Sequence, residues 1–492
     1  KTGTVMGTEA WSFIPKNSLP YLRYLAYPTS STTTHMFFVD ETPYIFDASL
    51  DIDTSAGSNG TSTTCNSASY SDYWECDKSE NSWRTILIGG MRLGGASRDA
   101  GATNGGLACT ECVQNPIAGV GYSSYFAIDV TDPQSPSLLW EFSEPGLNFS
   151  TTGPAIVRVG DKSKNGRWLA IFGSGPSGYI IPSPTSQFLG ITEHDWSGGT
   201  TGNLKLYVVD VKTGTLLRTI DTGKPSAFAG SLLNSTIDLD LDYQDDAVYF
   251  GYTQRNPSGS FSAASAAQGG AANSITLSDS SSSTDDAYKG QFIHLSSTHE
   301  TKLITAYKGA TGVATVDSDW KLTQPSSGTR YNIFDGWTQG GVERLATQES
   351  TDPANWVVSN VITGIGPVTA AVTRLLDTST NQLRLYFGTG RFYYRVGDVI
   401  DDANSSRRLY GLVDPCYKDN CDTNHLLPSC CTSAAGTPVA ATTSAGASDT
   451  APGWYIPLDS CTDASGVVPA ANCADSSVLY RAERLVSDPL AN

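Results

Sequence analysis

The sequence predicts an all-β protein whose sheets are arranged radially, as in a β-propeller, with loop insertions between strands. Composition is the first observation behind this. The 492 residues include 48 Gly, 23 Tyr and 10 Trp but only 3 Met, with 39% hydrophobic and 16% charged. That mixture suits many short strands joined by turns rich in Gly, Ser, Thr and Asn better than it suits helices. The other two observations are recurring strand templates, each repeated at long intervals along the chain.

The first template is an apolar strand that ends in glycine. It reads Trp83-Arg-Thr-Ile-Leu-Ile-Gly-Gly90, Arg167-Trp-Leu-Ala-Ile-Phe-Gly-Ser-Gly175, Ala247-Val-Tyr-Phe-Gly251 and Leu383-Arg-Leu-Tyr-Phe-Gly-Thr-Gly390. The first glycines stand at 89, 173, 251 and 388, separated by 84, 78 and 137 residues. The second template is a strand, a tight turn and a returning strand. It runs from Tyr125 to Pro133 with Leu138–Phe142, and again from Leu206 to Gly214 with Thr215–Ile220. Repeated hairpins of this kind mark a radial array in which each sheet buries its faces against its neighbours. A period near 80 is long for one four-stranded blade, so each repeat is read as one enlarged blade or as two.

Three stretches interrupt the pattern. Residues 255–285 contain a low-complexity Ser/Ala/Gly run, read as a surface loop unable to bury a core. Residues 51–80 and 414–475 read as irregular insertions and hold most of the cysteines. The nearest approach to a helix is Ser18–Ala26, short and marked by Pro20. The ten cysteines fall into close pairs: Cys65/Cys76, Cys109/Cys112, Cys416/Cys421, Cys430/Cys431 and Cys461/Cys473. Such pairs suggest local disulfide staples and an oxidising compartment. Zinc at Cys109 and Cys112 is the rival reading, and it lacks a second ligand pair nearby.

Charge excludes some classes of partner. The chain carries 31 basic and 49 acidic residues, a net charge of −18. With no Lys/Arg cluster to displace counterions from phosphates, nucleic acid is not an expected partner. No apolar run reaches the ~18 residues that a membrane span requires. The chain opens on Lys1-Thr-Gly-Thr without a signal-peptide pattern, and it is expected to be part of a longer protein.

The sharpest chemical signal is Ile237-Asp-Leu-Asp-Leu-Asp-Tyr-Gln-Asp-Asp-Ala-Val-Tyr249. Asp238, Asp240, Asp242 and Asp246 fall at positions 1, 3, 5 and 9 of an EF-hand-like loop, and Gln244 stands at position 7, where a backbone carbonyl coordinates. Calcium takes six to eight hard oxygen ligands, and alternate carboxylates on a tightly curled loop converge on one point. Two positions depart from the pattern: Tyr243 replaces the glycine at position 6, and Tyr249 replaces the glutamate at position 12. The competing reading is a strand with Asp facing solvent and Leu facing the core, but strands are depleted in Asp and stacked carboxylates repel. Asp161-x-Ser163-x-Asn165 and Asp377-x-Ser379-x-Asn381 are fainter echoes, better read as hairpin turns. Asp47, Asp51 and Asp53 are similarly weak.

Catalytic patterns are sparse. Gly173-Ser-Gly-Pro-Ser-Gly178 matches GxGxxG, but Pro176 rules out the helix that would cradle a phosphate. GxSxG and HExxH do not occur, and the five His residues are scattered. The chain is therefore expected not to be an enzyme. The alternative is a calcium- and quinone-dependent propeller dehydrogenase, with Cys430-Cys431 beneath the quinone.

With these elements placed, the chain resembles the C-terminal domain of the PilY family, the type IV pilus assembly and tip-associated adhesins. The matching stretches run in order from Gly7-Thr-Glu-Ala-Trp-Ser-Phe-Ile-Pro-Lys-Asn-Ser-Leu-Pro20 through Trp83–Gly90, Tyr125–Pro133, Pro154–Val159 and Trp168–Gly173. They continue with Asp238–Gly251, Pro367–Ala371, Tyr386–Phe392 and Leu409–Asp414. The resemblance implies a single modified β-propeller of about seven blades spanning 1–492, with disulfide-stapled loop insertions. It implies a Ca²⁺ site on a D-x-D-x-[DN]-x-x-x-D loop, which maps onto Asp238, Asp240, Asp242 and Asp246 with Gln244 as carbonyl donor. It also implies export through the periplasm to a pilus tip at the cell surface, with minor pilins and a host or abiotic surface as partners. Calcium-binding, pilus biogenesis and adhesion are thus the expected functions. Gly251-Tyr252 stands where the family has Gly-Asp, and the cysteine-rich insertions are particular to this chain.

Overall fold

Every copy of the glycine-ended template forms the second strand of an antiparallel sheet in a computed structural model of the chain. The structure describes residues 9–22, 38–53, 72–92, 123–144, 146–176, 203–254, 265–298, 301–320, 322–334, 339–390, 407–417 and 452–458. It also describes short pieces at 65, 98–99, 103–104, 107–108, 112–113, 395–396, 399–400, 426 and 438–440.

Four sheets follow one another along the chain. The first is built from Tyr44–Ser49, Trp83–Gly90, Tyr125–Asp129 and Ser137–Phe142, hydrogen-bonded in that order. The second uses Ala155–Val159, Arg167–Gly173, Asn203–Asp210 and Leu216–Pro225. The third uses Ala227–Ala229, Ala247–Gln254, Gln339–Ala346 and Val357–Thr363, with Thr236–Ile237 also on Ala247–Gln254. The fourth uses Thr373–Asp377, Gln382–Gly388, Arg407–Val413 and Gly453–Leu458, extended by Val439–Ala440. The strand–turn–strand template supplies the third and fourth strands of the first two sheets. One period near 80 is therefore one sheet, not two.

The sheets stack face to face in chain order, and strand alternation explains how. In Arg167–Gly173, Ala170 and Phe172 join the core shared with Ile86, Ile88 and Trp140 of the first sheet. Leu169 and Ile171 point the other way, into a core with Val248, Phe250 and Tyr252 of the third. In turn Ala247 and Tyr249 face Leu383, Leu385 and Phe387 of the fourth. Burial on both faces is why these strands read as continuous apolar runs. Series packing of four-stranded antiparallel meanders is the arrangement of neighbouring propeller blades.

Close approach of the following segment accounts for Gly173 and Gly251, whereas at Gly89 the ring of Phe126 on the neighbouring strand fills the space. A Cβ on Gly173 would stand 2.2 Å from the Ala229 Cβ, and one on Gly251 would stand 2.5 Å from the Val368 carbonyl oxygen. Because the second obstacle is backbone, Gly251→Ala is expected to destabilise the fold by about 1–3 kcal/mol. A lowered urea midpoint at unchanged slope would register this. A midpoint equal to that of the parent would remove the steric account.

The structure corrects three expectations. From residue 265 on, the 255–285 stretch is not a coreless loop: Ser265–Ala266, Gly269–Ala271 and Ser274–Thr276 are strands of a seven-stranded sheet, and Ala267, Ile275 and Leu277 are buried, while 255–264 lie outside the described residues. Their apolar partners, Ile293, Leu295, Ile304, Trp320 and Tyr331, come from later sequence, which composition of the window alone does not reveal. The insertion therefore extends to 338, since Ala247–Gln254 pairs directly with Gln339–Ala346. Gly453–Leu458, inside the 414–475 stretch read as irregular, is a strand pairing with Arg407–Val413. Finally, the helical element is a 3-10 turn over Lys16–Tyr21. Four sheets of four or five strands each are formed among the described residues.

Of the cysteine pairs, Cys65 and Cys76 are joined by a disulfide, and Cys416 is also disulfide-bonded. Cys109, Cys421, Cys430, Cys431, Cys461 and Cys473 lie outside the described residues. No described helix is long and apolar enough to cross a membrane.

Candidate metal centre

The aspartate stretch is a loop and not a solvent-facing strand. Extended pairing stops at Ile237 and resumes at Ala247, so residues 238–246 bridge two strands of the third sheet. The loop is curled by its own carboxylates. Asp238 accepts from the Asp242 and Tyr243 amides at 3.2 and 2.8 Å, and Asp242 accepts from the Gln244 amide at 2.8 Å. Asp246 Oδ2 accepts from the Leu239 amide at 2.6 Å, closing the loop across its base. Tyr243 takes φ +74° and Leu241 φ +62°, so the left-handed turn that an EF-hand assigns to glycine is made here by other residues. Leu239 is buried, whereas Leu241 and Tyr243 are 80% and 67% exposed at the tip.

This curl gathers the predicted ligands. Carboxylate oxygens of Asp238, Asp240 and Asp246 lie within 4.8 Å of one another. Two oxygens on opposite sides of one calcium ion stand about 5 Å apart, so this spacing falls within a single coordination sphere. A second group, Asp240, Asp242 and Glu349, meets the same limit and shares Asp240 with the first. Gln244 enters differently. Its side-chain oxygen accepts from the Gly160 amide at 2.6 Å, and its amide nitrogen donates to Asp242 and Glu349 at 2.7 and 3.1 Å. The side chain is a brace, which leaves the backbone carbonyl as its available donor.

Glu349 is the site residue that sequence reasoning misses. No local pattern marks it, because it lies 105 residues from Gln244. Sheet register delivers it: Ala247 pairs with Ala346, so the loop entering one strand and the loop leaving the next emerge side by side. The Thr347 amide then donates to the Asp246 carbonyl at 2.9 Å. On its other side the loop is tied to the second sheet. Arg158 and Asp245 exchange amide–carbonyl and amide–carboxylate bonds of 2.8 Å, and Arg158 Nη1 donates to the Tyr243 carbonyl at 2.7 Å.

Electrostatics favour a cation here. Burial pushes the Asp246 carboxyl up to about 7, and the charges of Asp240, Glu349 and Asp238 add to the effect. Burial also raises Asp238, against the amides of Tyr243, Leu241 and Asp242. The donor set is all oxygen, which selects hard cations such as calcium over zinc or copper. The residues present thus fit the ion that the resemblance implies. Asp238, Asp240, Asp242, Asp246 and Glu349 offer carboxylates, and Gln244 offers its carbonyl. Position 12 offers nothing, because Tyr249 is buried and donates to Asp414 Oδ2 at 2.5 Å.

The weaker candidates resolve into turns and ion pairs. Asp161 accepts from the Ser163 amide and hydroxyl, and Asp377 from those of Ser379, both as hairpin turns. Asp51 pairs with Arg84, Asp47 accepts from the Thr85 hydroxyl, and Asp53 from Asn81. Gly175 of the GxGxxG match is packed against Phe149, with no room for a Cβ. Cys430 and Cys431, on which the quinone alternative rests, are outside the described residues.

Comparison with known proteins adds a relationship. No protein-family model matches the chain. The type IV pilus biogenesis factor PilY1 of Pseudomonas aeruginosa PAO1 is 24% identical over 257 residues, covering 51% of this chain and 15% of the relative. The PilY1 homolog of Xylella fastidiosa Temecula1 is 24% identical over 221 residues, covering 44% of this chain and 9% of the relative. The chain thus spans a small part of the length of these relatives. The crystal structure of the P. aeruginosa PilY1 C-terminal domain aligns with 92% of this chain and 67% of its own, at 16% identity and a TM-score of 0.43. By sequence, this chain is similar to the PilY1 type IV pilus biogenesis factors over about half of its length.

Proposed function

We propose that the chain is the calcium-binding part of a type IV pilus biogenesis factor that acts at the cell surface. The observation that carries the pilus role is the sequence similarity to PilY1 proteins of two organisms. What supports calcium is the pair of three-carboxylate groups, Asp238/Asp240/Asp246 and Asp240/Asp242/Glu349, which share Asp240 and draw on two distant chain segments. In this reading the ion holds the 238–246 loop in one conformation, and whatever partner prefers that conformation gains the difference in binding energy. The proposed partners are minor pilins at the pilus tip and a host or abiotic surface. The proposed scaffold is a modified propeller, and the four sheets stacked in chain order support it. The role proposed is binding and assembly, without catalysis.

Two experiments test this. Deleting the gene is expected to abolish surface pili and surface attachment, and normal pili with normal attachment in the deletion strain would sink the pilus role. Calorimetric titration of the purified chain with CaCl₂ is expected to show saturable binding. No heat and no calcium-dependent shift in melting would sink the calcium role while leaving the pilus role standing.

A further inference from the structure

We infer that Glu349 is a ligand of the same cation, in place of the position-12 glutamate that the loop itself lacks, so that the ion clasps two strand connections of the third sheet. The inference rests on the calcium reading above and adds to it a residue outside the loop motif.

An EF-hand-like loop needs a carboxylate from its twelfth position to complete the sphere. Here that position is Tyr249, whose side chain is turned into the seam with the fourth sheet and bonded to Asp414. A replacement has to come from another segment, and sheet pairing brings one to the loop. Ala346 lies opposite Ala247, and the chain beyond it turns back over the loop through Thr347, whose amide bonds to the Asp246 carbonyl. Two residues on, the Glu349 carboxylate stands within 4.8 Å of those of Asp240 and Asp242. Gln244 donates to both Glu349 and Asp242, which keeps two like charges at coordinating distance. The same brace would hold them when the cation arrives. The cation therefore fastens residues 347–350 to residues 238–246 and stiffens the seam with the second sheet, where the Thr351 carbonyl accepts from Arg167 at 2.8 Å.

The test compares CaCl₂ titrations of the whole chain and of Glu349→Gln, with Asp352→Asn as a control that removes the same charge from the same segment. Asp352 caps the Ala354 amide and belongs to neither carboxylate group. Glu349→Gln is expected to raise the Kd for Ca²⁺ by roughly 10- to 100-fold, and Asp352→Asn to leave it within about twofold. Hydrogen–deuterium exchange on the unmutated chain gives a readout independent of whether the variant folds. Ca²⁺ is expected to slow exchange at residues 347–350 as well as in the loop. Binding by the parent chain with unchanged affinity in Glu349→Gln and no protection at 347–350 would overturn Glu349 alone. Absence of binding by the parent chain would overturn the calcium reading and this inference together.

Discussion

A chain carrying Asp240→Ala and Asp246→Ala is expected to lose saturable Ca²⁺ binding, with a Kd at least 100-fold above that of the parent. The pair is chosen because the two residues hold the site differently. Asp240 is exposed and common to both carboxylate groups, so its loss breaks each of them. Asp246 is 5% exposed, and burial, with the charges of Asp240, Glu349 and Asp238 adding to it, raises its carboxyl to about 7. Binding to the folded state alone stabilises by RT ln(1 + [L]/Kd), about 2.7 kcal/mol at a hundredfold excess over Kd. Melting of the parent chain should therefore rise between EDTA and saturating CaCl₂, and melting of the variant should not. In EDTA the two are expected to show the same circular dichroism, since the bond lost at the Leu239 amide is one among several that curl the loop. A calcium-dependent rise that survives in the variant would put the ion elsewhere.

Much of the candidate site was legible because its proposed ligands are close in sequence. Alternation of Asp with apolar residues from 238 to 242 could mean strand or loop, and the excess of carboxylate over what a strand tolerates favours the loop. The departures from the EF-hand pattern needed the structure. Tyr243 does what glycine would do by taking the left-handed conformation itself, and nothing in the residue type announces that. Tyr249 looks like a missing ligand in sequence, yet it is a core residue of the third sheet. Glu349 was invisible because its approach depends on register across an 84-residue insertion, between Gln254 and Gln339.

The fold divides along similar lines. Glycine-ended strands at periods of 84 and 78 signalled the sheets, because burial on both faces leaves an apolar run and close approach leaves a glycine. The seven-stranded sheet gave no such signal. Its Ser/Ala/Gly strands are short, and their partners, such as Ile293 and Ile304, come later in the chain. Gly453-Trp-Tyr-Ile-Pro-Leu458 was hidden by Pro457 and by the cysteine-rich stretch around it. Proline is tolerated where a strand side needs no amide donor, so its presence near the edge of a sheet is not disqualifying.

Asp414→Ala is expected to cost about 3–5 kcal/mol of stability, more than the close approach at Gly251 puts at stake. Arg344 and Asp414 form an ion pair whose side chains are both 0% exposed. Arg344 Nη1 reaches both carboxylate oxygens at 2.7 and 2.6 Å, while Nη2 donates to the Ser359 hydroxyl and the Cys416 sulfur at 2.8 Å. Tyr249 and the Cys416 amide complete the shell of Asp414. Third- and fourth-sheet residues are thereby fastened at one point, directly behind the strand that leaves the metal loop. Removing the carboxylate leaves a guanidinium desolvated without its counter-charge and a tyrosine hydroxyl without its acceptor, and a buried unpaired charge is what such a site tolerates least. Urea unfolding of Asp414→Ala should show the loss, and the Arg344→Met/Asp414→Leu double variant should recover most of it, because apolar side chains of similar volume need no partner. A single variant within about 1 kcal/mol of the parent would mean that water reaches Arg344 and that the pair does not fasten the sheets. If instead the single variant is unstable and the double is not, the seam can be repacked without charge. Ca²⁺ affinity is then expected to be the same in the double variant and in the parent chain.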